Sequence, residues 1–285
     1  MTHRSIVHRI PAAAVSEGAG VTVRRTIGTP ALRHLDPFLM LDHFGSENPD
    51  EYIAGFPDHP HRGFITFTYM LNGHMQHKDS MGNQGDLRAG GAQWMKAASG
   101  VIHSEMPQQT EGLMRGFQLW INLPATEKMS DPAYQEYQAD AFPVVETAQG
   151  RIKVLIGHYD GTDAPIQDPN THVQYYDVNL HAGGTFTAPL DRDFTTFTYL
   201  YAGDARVGDT PLPEHNLAVL DNGDHVELTA GEHGASFILV AGRPLGESIA
   251  QYGPFVMNTR EEIEQAFDDY RQGRLVRTRA AMNPA

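Results

Sequence analysis

The chain has 285 residues, 40% of them hydrophobic, which is enough for one large or two ordinary domains with packed cores. Its formal charge of −14 disfavours direct binding to nucleic acid, because such a surface repels phosphate backbones. Cysteine is absent, which excludes disulfides and thiolate metal sites. No apolar stretch has the length of a signal-peptide core or a membrane span, so we expect a cytoplasmic protein without membrane contact.

The N-terminal part is expected to open with strands and then to enter the core. Residues 6–27 combine Val, Ile and Thr with Gly and Pro punctuation, which favours strands. The segment PFLMLDHF, 37–44, is nearly continuous apolar sequence and is expected to be buried. Asp42 and His43 interrupt it. We expect these two residues to be hydrogen-bonded and partly buried, and a metal role for His43 is the alternative.

Four residues in two short motifs form a candidate metal site. GFPDHPHRG contains His59 and His61, and SGVIHSEMP contains His103 and Glu105. Each pair has the spacing i, i+2, which places both side chains on one face of an extended strand. Two such strands, paired antiparallel, could direct three imidazoles and a carboxylate at one divalent ion such as Fe(II), Ni, Cu or Zn. A histidine-rich loop without metal is the alternative, because a chain with 15 His contains an H-x-H pair by chance.

The segment 64–123 between and beyond these motifs has the pattern of a barrel or sandwich. Its short alternating runs predict strands, with breaks at Asn72-Gly73 and at 82–86. A histidine pair, a hairpin-rich β segment and a His/Glu pair follow one another in the layout of a cupin metal site. GFQLWINL, 116–123, is expected to be a strand. Its Gln118 is expected to satisfy a hydrogen bond in the core, and lining a pocket is the alternative.

A change of character after residue 123 suggests a domain boundary. Asp131 followed by Pro132 predicts the start of a short helix, and residues 138–150 have few long apolar runs. We therefore divide the chain into an N-terminal metal-binding domain, 1–138, and a C-terminal domain, 139–285.

An internal repeat links the two halves. FITFTYMLNG begins at Phe64 and FTTFTYLYAG at Phe194, with six of ten positions identical, so a β unit is duplicated. The positions equivalent to the four candidate ligands are occupied by Pro189, Asp191, Ala241 and Arg243. The second copy is therefore expected to be metal-free, with His225 and Glu227 a coincidental pair and His215 structural.

The C-terminal end predicts one helix over 259–272. Thr259 and Glu262 form a T-x-x-E capping box, and Gly273 is a stop signal. The apolar residues at helical spacing are Ile263, Ala266, Phe267 and Tyr270. The helix is expected to pack across a barrel, and the basic tail from Arg274 onwards is expected to be solvated.

Across most of its length the sequence resembles the pirin family, which belongs to the bicupins. The matching phrases, in order, are PFLMLDHFG, GFPDHPHRGF, GDLRAGGAQWM, GVIHSEMP, LWINLP and GPFVMNT. The resemblance implies an all-β fold with two antiparallel cupin (jelly-roll-like) β-barrels in tandem and a short C-terminal helix. The second barrel would be degenerate.

The resemblance also implies the ligand set and the metal. By it, one ion in the N-terminal domain is held by His59, His61, His103 and Glu105. Iron is the expected metal, as Fe(II), with Ni, Cu, Co, Mn or Zn as alternatives. The general cupin pattern has a Glu four or five residues after the second His, where this chain has Ile65 and Thr66. The carboxylate must therefore come from elsewhere in the sequence.

Two classes of function remain open. Some pirins cleave flavonols such as quercetin with O2, and Glu105 would then act both as ligand and as proton acceptor. Other pirins are metal- or redox-dependent regulators that bind transcription factors or enzymes as protein partners. The ligand set is compatible with both classes, and of the two we expect the 2,3-dioxygenase. Other catalytic templates, such as G-x-S-x-G, Walker A or H-E-x-x-H, are absent from the sequence.

Overall fold

The computed structural model describes residues 2–283, which form two compact units. The unit that we call the histidine unit contains 14–28, 38–140 and the C-terminal segment from Leu245; the second unit contains 29–37, 141–244 and the N-terminal segment through Ala13. Each terminal segment thus belongs with the opposite half of the sequence. The linear division into 1–138 and 139–285 stays a prediction.

Strands dominate both units. In chain order they are β1 Ile6–Pro11, β2 Ala13–Glu17, β3 Val21–Arg25, β4 Phe38–Ser46, β5 Phe56–His61, β6 Phe64–Asn72, β7 His74–Asp79, β8 Gln84–Arg88, β9 Ala92–Lys96, β10 Val101–Pro107, β11 Met114–Asn122, β12 Ala133–Tyr137, β13 Val144–Thr147, β14 Gly150–Ile156, β15 His158–Tyr159, β16 Thr162–Asp163, β17 Gln174–Leu180, β18 Thr185–Pro189, β19 Thr195–Val207, β20 Thr210–Leu212, β21 Asn216–Leu220, β22 His225–Gly242, β23 Ala250–Tyr252, β24 Phe255–Met257 and β25 Ala281–Asn283. Single 3-10 turns occupy Pro49–Glu51 and Ala139–Ala141.

The histidine unit is built from an eight-stranded and a four-stranded sheet. The larger has the order β2-β3-β4-β11-β6-β9-β12-β25 and the smaller the order β5-β10-β7-β8. The predicted break at Asn72-Gly73 is confirmed, because Gly73, at φ +93°, lies between β6 in one sheet and β7 in the other. The apolar segment of β4 is buried from Phe38 to Phe44, as expected.

The second unit contains one nine-stranded sheet. Its main order is β1-β21-β19-β22-β17-β14-β13, with β18 paired to β22 and β20 to β19. The two copies of the repeat form β6 and β19, and each is an internal strand of the large sheet of its unit. The predicted all-β fold of antiparallel strands is confirmed, with the parallel pair of β12 and β25 as an exception.

One α-helix, α1 at Arg260–Arg271, is present among the described residues, and the predicted capping box is confirmed at both of its hydrogen bonds. Ile263 and Ala266 are buried against Phe255 and Leu275. No helix within residues 2–283 is long and apolar enough to cross a membrane.

Two local expectations are wrong. The Asp131-Pro132 signal does not start a helix; Ala133–Tyr137 is strand β12, because it pairs with β9 and β25 and the sheet overrides the weak local cap. The tail is not simply solvated, since Leu275 is buried and β25 extends the sheet. The last two residues of the tail lie outside the described part of the chain.

Candidate metal centre

Two paired strands bring three imidazoles together. β5 and β10 are antiparallel, with His103 opposite His59 and Val101 opposite His61, so the pairing expected from the spacing is confirmed. One ring nitrogen from each of His59, His61 and His103 lies within 4.8 Å of the others. The three ring centroids are 4.4–5.0 Å apart. A cluster of this size could hold one metal ion.

The His61 and His103 rings are neutral and have nitrogen lone pairs available. Burial, followed by the neighbouring histidines, lowers the pKa of His61 and of His103 well below the usual range. His59 donates from Nδ1 to the Pro57 carbonyl at 2.8 Å, which leaves its Nε2 to accept or ligate. Neutral imidazole is the form that binds metal.

Buried nitrogens without a hydrogen-bond partner support this assignment. Nδ1 of His61 and Nε2 of His103 are inaccessible to solvent and hydrogen-bond to none of the described residues. A buried polar atom in that state costs free energy unless a ligand satisfies it. The donor set of three imidazole nitrogens suits a borderline divalent transition metal, so the residues present fit such an ion.

Glu105 lies beside the imidazole cluster in a defined hydrogen-bonded position. It is on β10 two residues after His103, and its side chain is buried. Oε1 accepts from the Thr68 hydroxyl at 3.1 Å, and Oε2 accepts from the Gln118 amide at 2.9 Å. The pairing of β10 with β5 shifts register between His103 and Glu105, so Glu105 is opposite Phe56. The carboxylate is not one of the three clustered groups, and its role as a ligand stays a proposal.

His77 is a neighbour of the cluster that the sequence did not single out. It lies on β7 opposite Glu105, and its Nδ1 is 3.2 Å from Nδ1 of His103. This contact fixes the His103 ring and leaves its Nε2 toward the cluster. Burial lowers the pKa of His77 to about 4, so it is neutral at physiological pH. The sequence pattern that could have identified His77 is the alternation along β7, in which Met75 and His77 are the buried positions.

The other histidines considered from sequence lie elsewhere. His43 is more deeply buried than expected, and its ring stacks on that of Phe117 at a centroid distance of 4.8 Å. His225 is in contact with the ring of His3 at 5.4 Å, and His215 stacks near Tyr199. Within residues 2–283, no second group of three or more His, Asp or Glu side chains has metal-binding spacing.

A cavity of about 590 Å³ opens onto the cluster, with His59 and His61 in its wall. Trp120 forms an aromatic side of this cavity and packs against Phe64 with the two rings tilted, at a centroid distance of 4.2 Å. Gln118 combines both roles considered from sequence, because it lines the cavity and its Oε1 also accepts from Trp120 Nε1 at 3.3 Å. The volume is in the range of small-molecule sites.

A buried ion pair fixes the strand that carries His61. Arg62, 1% exposed, donates to Asp269 Oδ2 at 2.8 Å from α1, and to the carbonyls of Ser99 at 2.7 Å and Leu275 at 3.3 Å. The partners come from two separate parts of the sequence, the loop at Ser99 and the C-terminal segment. They hold the end of β5 against the C-terminal segment.

The residue after Arg62 is in close contact with the C-terminal segment. Gly63 has φ +91°, and a Cβ there would lie 1.9 Å from the Val256 carbonyl oxygen, so only glycine fits. The buried Lys128 ammonium donates to the carbonyls of Gly63 and Val256 at 2.7 and 3.1 Å, and to Asn122 Oδ1 at 2.6 Å. The C-terminal segment is thereby part of the frame of the site.

Comparison with known proteins identifies the family. The pirin model matches residues 20–121, and the model of the pirin C-terminal cupin domain matches 175–276. A Pseudomonas aeruginosa protein provisionally named quercetin 2,3-dioxygenase is 49% identical over 90% of this chain and 93% of its own length. Human pirin is 41% identical over 91% of this chain and 89% of its own.

Comparison with solved structures supports the same family. A crystal structure of quercetin 2,3-dioxygenase from Acinetobacter baumannii superimposes with a TM-score of 0.89 at 31% identity, covering 96% of this chain and 98% of that one. The predicted pair of cupin domains is thus confirmed together with the resemblance from which it came. The chain belongs to the pirin family.

Proposed function

We propose that this protein is a metal-dependent dioxygenase that cleaves flavonols such as quercetin with O2. The observation that carries the proposal is the cluster of three imidazoles, two of which line an aromatic-walled cavity of about 590 Å³. Two of the similar proteins bear the name quercetin 2,3-dioxygenase, one of them provisionally. Cytoplasmic location stays part of the proposal.

In this proposal His59, His61, His103 and Glu105 hold one divalent ion. Fe(II) is the expected metal, and Ni, Cu, Co, Mn or Zn would suit the same nitrogen and oxygen donors. When bound, the metal supplies Lewis acidity to the substrate's hydroxyl and a site for oxygen beside it. The histidine contacts described above keep the donor atoms in place.

Glu105 would have a second role as the proton acceptor from the flavonol 3-hydroxyl. The hydrogen bonds from Thr68 and Gln118 hold the two carboxylate oxygens in a defined orientation within the buried site. A positioned base of this kind contributes roughly 10²–10⁴-fold to the rate of proton removal. Trp120 would contribute a flat apolar surface that excludes water from one side of the substrate.

The test compares Glu105→Gln with the wild-type protein, both loaded with iron. Three histidines alone can hold a divalent ion, so metal content should be retained while turnover of quercetin falls by roughly 10²–10⁴-fold. Raising the pH, which ionises the flavonol in solution, should restore part of the rate. Glu111→Gln, an exposed change in the same unit, is the matched control and should be indistinguishable from wild type.

Two outcomes would change the proposal. Wild-type turnover in fully loaded Glu105→Gln would remove the base assignment. An iron-loaded wild-type protein that cleaves no flavonol would favour the alternative, a non-enzymatic regulator that binds a transcription factor or an enzyme and responds to the metal's oxidation state.

A further inference from the structure

Three charged residues form one wall of the cavity, and we call them the charged wall: Glu17, Arg25 and Asp42. Arg25 donates to both oxygens of Asp42, from Nε at 2.7 Å and from Nη2 at 2.6 Å. Nη2 is also 2.8 Å from Oε1 of Glu17. The side chains of Arg25 and Asp42 are 15% and 7% exposed and that of Glu17 is 37% exposed, and all three line the cavity.

The charged wall still offers hydrogen-bonding capacity to a ligand. Arg25 uses Nε and Nη2, and its Nη1 donates to none of the described residues. Glu17 uses Oε1, and its Oε2 likewise accepts no hydrogen bond from the described chain. Two neighbouring residues that line the cavity therefore have one donor and one acceptor left over. A phenolic hydroxyl, which both donates and accepts, is complementary to that pair.

The charge of the cavity restricts the ligand further. Three carboxylates line it, from Glu17, Asp42 and Asp58, against the single guanidinium of Arg25. Their net formal charge is −2, which disfavours a carboxylate or phosphate ligand away from the metal. Phe56 and other apolar groups complete the lining and favour a planar, uncharged body.

We infer that the charged wall is the subsite for hydroxyl groups of the substrate that are not bound at the metal. The ligand class is a neutral, polyhydroxylated aromatic, with a ring hydroxyl donating to Glu17 and accepting from Arg25. Asp42 is a positioning residue, because its two oxygens hold the Arg25 fork in place. The orientation rests on the proposed function, in which the flavonol's 3-hydroxyl and carbonyl face the metal.

The experiment measures binding without turnover, on metal-loaded protein under anaerobic conditions. Quercetin and 3-hydroxyflavone are compared, since both have the 3-hydroxyl and carbonyl but only quercetin has further ring hydroxyls. Quenching of Trp120 fluorescence reports binding, and Trp94, which does not line the cavity, gives the background. Glu17→Ala should weaken quercetin by about 3–10-fold, the effect of one lost hydrogen bond, and should change 3-hydroxyflavone less than about twofold.

Two further variants complete the design. Glu47→Ala removes the same charge from an exposed position outside the cavity and should affect neither ligand. Arg25→Lys keeps the positive charge beside Asp42 but loses the fork, so it should reproduce the selective loss for quercetin. Melting curves check that each variant is folded. If Arg25→Lys does not fold, Glu17→Ala still tests the inference, because Glu17 is partly exposed.

The outcomes separate this inference from the proposed function. Equal weakening of both ligands by Glu17→Ala, no weakening of either, or no binding of quercetin to the wild type would overturn the subsite. If aerobic wild-type protein cleaves quercetin and Glu17→Ala has no selective effect, only the subsite is wrong. If quercetin is bound with the selective effect but never cleaved, the subsite stands and the dioxygenase proposal fails.

Discussion

Replacing Asp269 by Asn should destabilise the histidine unit far more than the same change at an exposed position of the C-terminal helix. The Asp269 side chain is 3% exposed and accepts from Arg62 Nη1 and Arg277 Nη2, each at 2.8 Å. Nη2 of Arg274 lies 3.7 Å from its second oxygen. Asn has the same shape and leaves no cavity, so the change removes only the negative charge and part of the acceptor capacity.

The size of this destabilisation follows from the buried charge of Arg62, which Asp269→Asn leaves without its carboxylate partner. Arg62 stays buried at 1% exposure, with only two carbonyl acceptors, and two further guanidiniums stay close to it. Removing one partner of a buried ion pair costs about 3–5 kcal/mol, because the remaining charge is uncompensated. For a chain of this size that corresponds to a fall in melting temperature of roughly 6–20 °C.

The assay is thermal and urea unfolding, followed by circular dichroism, of Asp269→Asn and of Asp268→Asn as control. Asp268 is the preceding residue on the same helix and pairs with Arg271 at 2.9 Å, but its side chain is 52% exposed. An exposed pair contributes about 0–1 kcal/mol, so the control should be nearly neutral. Equal effects of the two variants would refute the reasoning that burial of Arg62 makes the difference.

The pH dependence gives a second check on the same pair. Burial alone would raise the pKa of the Asp269 carboxyl, but hydrogen bonds from Arg62, Gln265 and Arg277 outweigh it and hold that pKa at about 2. Because the folded pKa lies below the unfolded value of about 3.9, the carboxylate stabilises the fold above pH 4 and loses this effect as pH falls toward 2. The difference between wild type and Asp269→Asn should therefore shrink over that range.

Three more predictions follow from the site and its frame. Elemental analysis should find one transition-metal ion per chain, lost in a His59→Ala, His61→Ala double variant; two ions per chain, or retention in the double variant, would contradict this. Burial lowers the pKa of Lys128 to about 8, below the unfolded value of about 10.4, so folding disfavours its charged form. The free energy of unfolding of the wild type, minus that of Lys128→Met, should therefore rise by up to about 3 kcal/mol between pH 8 and 10. Urea unfolding at each pH measures this difference, and a difference that does not change with pH would contradict the prediction. The protein should not bind duplex DNA at physiological salt, given its charge of −14; sub-micromolar, salt-sensitive binding in a gel-shift assay would contradict it.

Features that depend on neighbouring residues could be predicted from the sequence. The i, i+2 spacing of His59 and His61 placed both rings on one face, because the period of a strand is set by its backbone. The capping box at Thr259 predicted the start of the helix for the same local reason. The repeat that begins at Phe64 and Phe194 indicated two similar β units before any pairing was known.

Features that depend on distant pairing were decided only by the tertiary structure. Residues 133–137 became a strand because β9 and β25 offered backbone hydrogen bonds on both sides, which outweighed a local helix signal. The contact of His77 with His103 spans 26 residues, and the ion pair of Arg62 with Asp269 spans 207. The spacing of residues along a chain does not identify contacts between distant residues. These contacts are decided by which side chains are buried together and by the need of each buried charge for a partner.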